Sequence, residues 1–344
     1  MKIFFRADGN ETIGAGHIMR CLAIADEAAR QGCNCRFIVA DESFVTEIQN
    51  HGHNVSILYS DYTHMDEEMR LFRGLIAEEI PDMIFVDSYY VTEHYLSAIT
   101  KLSRTAYIDD VKAFPYPVNL LINYNANAFK LDYEKFYQEN GVTCPKLLLG
   151  WKYAPLRSEF QHVKPIEIRE QIRNVMFSAG GLDPERVALE FVKAVQSSCA
   201  NTEMLFHLVL GKYEPDVDEI KSITLDDKRF AIHQNVQKMA ELMTKCDVAI
   251  SAAGSTLYEL CAYGVPTISY VLAENQLLGM ESLVENGLVV CAGDWRIEQD
   301  ILYKILCFLN DEMDYEMREK LQKKMLLEIS PGGTKNLVDL MCCL

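Results

Sequence analysis

The sequence has few basic residues for its length. Its 344 residues include 33 Lys and Arg against 50 Asp and Glu, which leaves a formal net charge of −17. Proteins that bind nucleic acid or an anionic membrane surface need a surplus of positive charge, so this composition argues against both kinds of partner. It is compatible with one phosphorylated ligand, since backbone N–H groups at helix N-termini bind phosphate without net positive charge.

Long apolar runs and paired metal-ligand spacings are also absent. No stretch approaches the 18 or more apolar residues that span a bilayer, and Arg6 and Asp8 interrupt the short apolar run at the start. The eleven cysteines include no C-x-x-C pair, and the eight histidines include no H-E-x-x-H or H-x-x-x-H spacing. These absences argue against a disulfide scaffold and a zinc site. We expect a cytoplasmic protein with reduced cysteines.

The sequence does contain an alternation of short apolar runs and helical patterns over its whole length. This alternation predicts parallel sheets covered by helices on both faces. Apolar runs that predict strands cover residues 2–6, 35–39, 54–58, 83–86, 106–108 and 119–122 in the first half, and 174–178, 204–210, 231–233, 247–250, 267–271 and 289–291 in the second.

The two halves predict two domains of similar kind. We expect an α/β fold of two doubly wound, Rossmann-like domains, residues 1–155 and 156–335, that face each other across a cleft. Residues 336–344 predict a last helix that could pack back on the first domain. In doubly wound sheets ligands bind beyond the C-terminal ends of the strands, so chemistry-bearing residues are expected in those loops.

The first such loop is a glycine turn between the first strand and the helix after it. Gly14-Ala15-Gly16-His17 follows a polar loop and leads at once into an apolar helical face. Glycine lets the backbone approach a ligand, and the positive end of a helix favours the neutral, proton-accepting imidazole. His17 is therefore a candidate general base, with Asp8 as a nearby carboxylate that would oppose this effect. A capping or packing role for His17 is the alternative.

The second loop combines small residues with a carboxylate. Gly254, Ser255 and Thr256 follow a buried strand and open a helix, and Glu259 lies about one turn further on. N–H groups and hydroxyls at such a turn bind diphosphate, and Glu259 is placed to accept ribose hydroxyls. A first-turn carboxylate also complements the helix dipole, so that simpler role stays open for Glu259.

Two further turns add candidate binding groups in the second half. Gly180 and Gly181 lie in a strand-to-helix turn, and Asn275 and Gln276 open another helix, where their amides cap the helix or contact a ligand. Three glycine turns in one chain favour a phosphorylated ligand that both domains contact. Ordinary turn chemistry accounts for each turn taken alone.

Taken in order, these motifs resemble a known family, the UDP-sugar hydrolases of pseudaminic acid biosynthesis with the related spore-coat polysaccharide proteins. The second-half motifs are shared more widely, with the lipid-II-forming GlcNAc transferase and other GT-B glycosyltransferases. The motifs that carry the resemblance are Phe5-Arg6-x-Asp8, Ile13-Gly14-x-Gly16-His17-x-x-Arg20, Ser178-x-Gly180-Gly181-x-Asp183, the turn from Gly254 to Glu259, and Asn275-Gln276.

The resemblance implies a GT-B fold and hydrolysis of UDP-2,4-diacetamido-2,4,6-trideoxy-β-L-altropyranose to UDP and the free sugar. It places the catalytic base on His17 and the UDP contacts on the second domain, with Glu259 and Asn275 at matching positions. The identity of the sugar stays open, because the chain reads Ala252-Ala253-Gly254 where some members have serines.

The implied mechanism needs neither a metal nor a cofactor. His17 would deprotonate a water that attacks the anomeric carbon opposite UDP, with inversion. Arg6, Asp8 and Arg20 are candidates for holding His17 or the sugar, with surface or interdomain ion pairs as the alternative. Asp216-Val217-Asp218 is interpreted as solvated carboxylates and not as a manganese site.

Two other functions stay open. A metal-independent, inverting GT-B glycosyltransferase would use the same UDP-sugar donor with an acceptor hydroxyl, and a nucleotide-sugar sensor would bind it without turnover. The expected partner is a UDP-sugar in each case. The oligomeric state is open, with a monomer favoured.

Overall fold

The computed structural model describes residues 1–161, 164–198, 203–234, 236 and 238–344. The chain divides into two compact units, one formed by Met1–Ser158 with Gly332–Leu344 and the other by Glu159–Pro331. Each unit contains one parallel sheet with helices between its strands. The predicted α/β architecture is therefore confirmed.

The sheet of the first unit has seven parallel strands in the order β3-β2-β1-β4-β5-β6-β7. Its central strands are buried on both faces, which explains why they read as continuous apolar runs, whereas its two edge strands are only partly buried. The strands are β1 (Lys2–Ala7), β2 (Asn34–Val39), β3 (Asn54–Ile57), β4 (Met83–Asp87), β5 (Arg104–Ile108), β6 (Leu120–Asn123) and β7 (Lys146–Leu149). The helices are α1 (Gly16–Arg30), α2 (Val45–Asn50), α3 (Met69–Glu78), α4 (Glu93–Thr100) and α5 (Tyr133–Glu139).

The sheet of the second unit has six parallel strands in the order β10-β9-β8-β11-β12-β13. The strands are β8 (Asn174–Ser178), β9 (Leu205–Leu210), β10 (Phe230–Gln234), β11 (Val248–Ala252), β12 (Thr267–Val271) and β13 (Val290–Asp294). The helices are α6 (Val187–Ser197), α7 (Val217–Thr224), α8 (Met239–Met243), α9 (Thr256–Tyr263), α10 (Leu277–Glu285), α11 (Ile301–Cys307) and α12 (Tyr315–Glu328). None of the helices in the described ranges is long and apolar enough to cross a membrane.

The last helix, α13 (Gly333–Cys342), belongs to the first unit and packs against α1. Leu337, Val338 and Met341 are fully buried there. The hydroxyl of Thr334 donates to the carbonyl of Leu156 at 2.6 Å. The second unit is therefore inserted between two segments of the first.

Candidate active site

The strand order of the first sheet brings α1 next to the C-terminal end of β4. β1 pairs with β2 on one side and with β4 on the other, so the order of the strands reverses between β1 and β4. α1 begins beyond the end of β1, at this reversal, where doubly wound sheets bind their ligands. The first turn of α1 carries His17, as predicted, and β4 ends at Asp87.

His17 and Asp87 form a buried pair. The imidazole Nδ1 lies 2.7 Å from Oδ1 of Asp87, and the two residues are only 8% and 1% exposed. The carboxylate bonded to His17 is thus Asp87 and not Asp8, the one considered from the sequence. Local spacing gives no indication of Asp87, which is 70 positions away, although a polar residue directly after a buried strand is a detectable signal.

The Arg20 guanidinium keeps Asp87 ionised. Its Nε and Nη2 donate to the two carboxylate oxygens at 2.5 and 2.6 Å. Burial alone would raise the pKa of Asp87, but the charges and hydrogen bonds of Arg20 and His17 outweigh burial and hold this pKa below its usual range. An ionised carboxylate only accepts hydrogen bonds, so Nδ1 of His17 carries the proton and Nε2 is the basic nitrogen.

Aromatic and acidic side chains complete the surroundings of His17. The ring of Tyr89 meets the imidazole edge-on, with 4.7 Å between ring centroids, and its hydroxyl donates to Asp110 at 2.9 Å. Asp110 also accepts from Nη1 of Arg20 at 2.9 Å and from the amide of Asn125 at 2.8 Å. Arg20 is therefore confined to one position, and it orients His17 through Asp87.

Arg6 and Asp8, predicted as catalytic candidates, lie in a different network. Arg6 is fully buried and donates to both oxygens of Glu68 at 2.7 Å and to Asp8 at 2.5 Å. The other oxygen of Asp8 accepts from the backbone N–H of Ala40 at 2.7 Å. Burial lowers the pKa of Arg6, but Asp8 and Glu68 raise it by more. This network ties the ends of β1 and β2 together, and none of its hydrogen bonds among the described residues involves His17.

The two glycines before His17 have different roles. The N–H of Gly14 donates to the carbonyl of Asn10 at 2.8 Å, and Gly14 has φ of +73°, which favours glycine. Gly14 is therefore a turn residue whose N–H is already bonded. Gly16 is exposed and is the first residue of α1, where backbone N–H groups have no acceptor within the helix.

In the second unit, the predicted diphosphate turn lies between β11 and α9. Ser255 stands at the N-cap position of α9, but its φ and ψ are helical and its side chain makes no capping bond. In the part of the chain that the structure describes, neither the Ser255 nor the Thr256 hydroxyl has a hydrogen-bond partner. The N–H of Gly254 donates to the carbonyl of Ala252 at 2.8 Å, so the available donors of this turn begin at Ser255.

The other predicted ligand groups of the second unit are partly engaged by the protein itself. Glu259 is half-buried in the first turn of α9, and Asn275 is exposed after β12. The side-chain oxygen of Gln276 accepts from the N–H groups of Leu272 and Ala273 at 2.8 and 3.2 Å. Of the two roles that the sequence leaves open for the Gln276 amide, its oxygen therefore takes the capping role, because it closes its own turn.

The glycine turn after β8 is shaped by Asp183. The carboxylate of Asp183 accepts from the N–H groups of Val187 and Ala188 at 2.9 and 2.7 Å, so it occupies the N-terminus of α6. Gly180 has φ of +104°, and Gly180 and Gly181 are both exposed. The N–H groups of a phosphate site would come from this turn and not from the helix end.

No cluster of three or more potential metal ligands occurs among the residues the structure describes. Asp216, one of the alternating carboxylates, binds both Nε and Nη2 of Arg186 at 2.8 Å. The interpretation of the Asp-x-Asp pair as solvated carboxylates is thus wrong for Asp216, which is 9% exposed and ion-paired. Because its carboxylate is paired with Arg186, Asp216 does not resemble a manganese ligand either.

Comparison with known proteins identifies relatives of this chain. The second unit matches the glycosyltransferase family 28 C-terminal domain over residues 177–329. A UDP-2,4-diacetamido-2,4,6-trideoxy-β-L-altropyranose hydrolase of Campylobacter jejuni is 25% identical over 264 residues, 75% of this chain and 87% of that protein. The resemblance to this family is confirmed at low identity. The spore coat polysaccharide biosynthesis protein SpsG of Bacillus subtilis is 22% identical over 331 residues, 94% of this chain and 92% of that protein.

One further relative is much longer than the region that matches this chain. The fold is widespread among solved structures. An uncharacterized protein of Methanocaldococcus jannaschii is 25% identical over 291 residues, which cover 80% of this chain and 56% of that protein. The chain thus matches little more than half the length of this relative. The crystal structure of MurG from Acinetobacter baumannii has a TM-score of 0.66 at 14% identity and covers 100% of this chain and 99% of that one. This likeness shows the fold, which is GT-B-like.

Proposed function

We propose that the protein hydrolyses a UDP-linked 2,4-diacetamido-2,4,6-trideoxy sugar to UDP and the free sugar, in the formation of a nonulosonic acid such as pseudaminic acid or of a surface polysaccharide. The observation that carries this proposal is the buried pair of His17 and Asp87, in which Nδ1 is bonded to the carboxylate and Nε2 is the nitrogen that can accept a proton. The named relative from Campylobacter jejuni supports the substrate class.

The first unit would supply the base. Nε2 of His17 accepts a proton from a water, and the resulting hydroxide-like oxygen attacks the anomeric carbon on the side opposite UDP, which inverts that centre. The imidazolium that forms is stabilised by the ionised Asp87 at 2.7 Å. The ring of Tyr89 packs against the imidazole at an interplanar angle of 77°.

The second unit would supply the leaving-group contacts. UDP leaves as a diphosphate, so donors that stabilise its developing charge lower the barrier without any acid. The hydroxyls of Ser255 and Thr256 and the exposed turn of Gly180 and Gly181 are suited to this task. Glu259 would accept the ribose hydroxyls.

Glycosyl transfer with the same donor is the second candidate, and the match to a glycosyltransferase family 28 domain is the observation that favours it. The two reactions differ in the nucleophile that attacks the anomeric carbon, which is a water in hydrolysis and an acceptor hydroxyl in transfer. A hydrolase releases UDP from the UDP-sugar alone, whereas a transferase needs the acceptor.

The test is to incubate the purified protein with UDP-2,4-diacetamido-2,4,6-trideoxy sugars and to follow UDP by phosphorus NMR and the C1 configuration by proton NMR. We expect UDP release without acceptor, with inversion, and a turnover about 10²–10⁴-fold lower in His17→Asn. UDP affinity should be unchanged in that variant. His94→Asn, which changes an exposed histidine on α4, is the matched control. Full turnover in His17→Asn removes the imidazole from the mechanism, and release only with acceptor favours the transferase.

A further inference from the structure

A cavity of about 700 Å³ lies in the second unit, at the edge of the sheet opposite to the glycine turns. Asn174 is the first residue of β8, and Lys245 precedes β11, so the lining marks the N-terminal ends of the strands. Ligands of doubly wound sheets bind at the other edge, beyond the C-terminal strand ends. The cavity is therefore separate from the turns assigned to UDP.

The lining of this cavity is basic although the chain as a whole is acidic. Cavities of 300–1,000 Å³ are of the size that holds a small molecule. The charged and hydrogen-bonding side chains that line it include Arg169, Glu170, Arg173, Asn174, His207 and Lys245. Three of these are permanent cations and one is an anion, in a protein with a net charge of −17.

A buried carboxylate holds the floor of the cavity in place. Asp247 is 2% exposed and accepts from the N–H groups of Arg173 and Asn174 at 2.9 and 2.8 Å. Its other oxygen accepts from Nη1 of Arg169 at 2.7 Å. The charge of Asp247 is thus matched by Arg169, and the backbone at the start of β8 is fixed.

Two cations of the lining form no ion pair. Within the described ranges, the guanidinium of Arg173 has Gln171 as its only side-chain partner, at 3.1 Å, and no carboxylate lies within ion-pair distance of Lys245. The carboxylate of Glu241, whose pKa the charge of Lys245 helps to lower, is paired with Lys238 at 2.7 Å. Both side chains are exposed. An exposed cation gains little from a surface ion pair, but two cations that converge on one concave site attract a multiply charged anion.

The inner wall includes the imidazole of His207, which packs against that of His233 behind it. Nδ1 of His207 lies 3.0 Å from Nε2 of His233, and Nε2 of His207 lies 3.2 Å from the side-chain oxygen of Asn174. Burial lowers the pKa of both histidines, and Lys245 lowers both further. Because an amide oxygen only accepts, Nε2 of His207 donates to Asn174 and its Nδ1 accepts from His233. The wall is therefore polar, with its own hydrogen bonds already made, and suits an ionic ligand better than an apolar one.

We infer that this cavity is a second binding site, for a phosphorylated small molecule whose phosphate is held by Arg173 and Lys245 against His207. The inference concerns a ligand other than the UDP-sugar at the glycine turns, so it does not depend on the proposed hydrolysis.

The test is a titration of inorganic pyrophosphate at constant ionic strength, with affinity from calorimetry and with the imidazole nitrogens of His207 and His233 followed by NMR. We expect saturable binding that shifts these nitrogens, and a loss of affinity of at least about tenfold in both Arg173→Ala and Lys245→Ala. Lys193→Ala, which removes an exposed lysine paired with Glu190 on α6, should leave the affinity unchanged.

A third variant separates this site from the glycine turns. Thr256→Glu places a negative charge at the start of α9, so it should abolish pyrophosphate binding there and leave the titration of the two imidazoles intact. Absence of saturable binding, equal affinity in the Ala variants of Arg173 and Lys245, or loss of the imidazole shifts in Thr256→Glu would each overturn the inference. None of these outcomes bears on turnover of the UDP-sugar.

Discussion

At the scale of single residues, the role of His17 depends on a partner that its local sequence does not contain. The glycine turn and the helix start predicted its position, and the structure confirms that it lies in the first turn of α1. Its hydrogen-bond partner comes from another strand, and only the order of the strands brings the two together. Sequence spacing therefore locates a base but not the group that orients it.

Asp87→Asn tests this orientation directly. The amide can donate to Nδ1, which would turn the imidazole to the tautomer whose Nε2 carries the proton and cannot act as a base. We expect kcat to fall by about 10²–10⁴-fold, with UDP affinity unchanged. The measurement is kcat/KM against pH together with UDP calorimetry. Asp66→Asn, which changes an exposed carboxylate bonded to Thr92, is the control. An unaltered pH profile in Asp87→Asn would contradict the positioning role.

A second buried carboxylate makes the stability of the second unit depend on pH. Burial, and then the nearby charge of Asp183, raise the pKa of Glu214 from 4.5 to about 7. The folded state therefore binds this proton more tightly than the unfolded chain. The stability from this group is complete below about pH 4.5 and is lost as the pH rises to about 7.

Glu214→Gln, which imitates the neutral acid, should remove this dependence. We expect it to gain about 1–3 kcal/mol over the parent on going from pH 5 to pH 8. Urea unfolding followed by Trp295 fluorescence, in a Trp151→Phe background, reports on the second unit because the chain has two tryptophans. Glu281→Gln, an exposed site on α10, should show no such gain. Parallel pH curves for parent and Glu214→Gln would refute the prediction.

At the scale of elements, the apolar runs predicted the central strands well and the helix ends less well. β8 and β12 have the predicted bounds. The sequence pattern over residues 184–196 predicts a helix, but α6 begins at Val187, because Asp183 caps it from outside the helix. The pattern over residues 237–245 also predicts a helix, which is observed as α8, and Gln237 lies outside the described residues.

The elements that sequence reasoning missed have weak apolar patterns. β7 lies at the edge of its sheet and has an exposed first residue, and α12 buries only Arg318, Leu321 and Met325 of its 14 residues. The guanidinium of Arg318 donates to the backbone carbonyls of Arg169 and Glu170 at 2.8 and 3.0 Å. A helix held by such contacts leaves little periodic signal in the sequence.

The turns after β8 and β9 touch backbone to backbone. A Cβ on Gly211 would lie 2.4 Å from the carbonyl oxygen of Gly181, which is too close for any real contact. Gly211→Ala must therefore displace the turn that we assign to the diphosphate. We expect a loss of about 1–3 kcal/mol in the stability of the second unit and weaker UDP binding.

Calorimetric unfolding and UDP titration measure both effects. The matched control is Gly74→Ala within α3, where a Cβ meets nothing within 4 Å, and where alanine should stabilise the helix by about 0.5–1 kcal/mol. If Gly211→Ala unfolds and binds UDP like the parent protein, the two turns are not in contact as described.

At the scale of the whole molecule, the first unit is built from both ends of the described chain. α13 buries Leu337 at 0% exposure against the first unit, so Leu337→Ala should destabilise that unit by about 2–5 kcal/mol. Differential scanning calorimetry should show the first unit melting earlier and the second unchanged. The exposed Lys335→Ala on the same helix is the control. A shift confined to the second transition would show that α13 stabilises the other unit.

The position of α13 in the first unit has a consequence for folding during translation. A ribosome completes the inserted unit, residues 159–331, before it releases the segment that closes the earlier one. Domains fold during translation as soon as all their parts have emerged. The unit that carries His17 is therefore begun before the inserted unit and completed after it, because it needs both Met1–Ser158 and Gly332–Leu344.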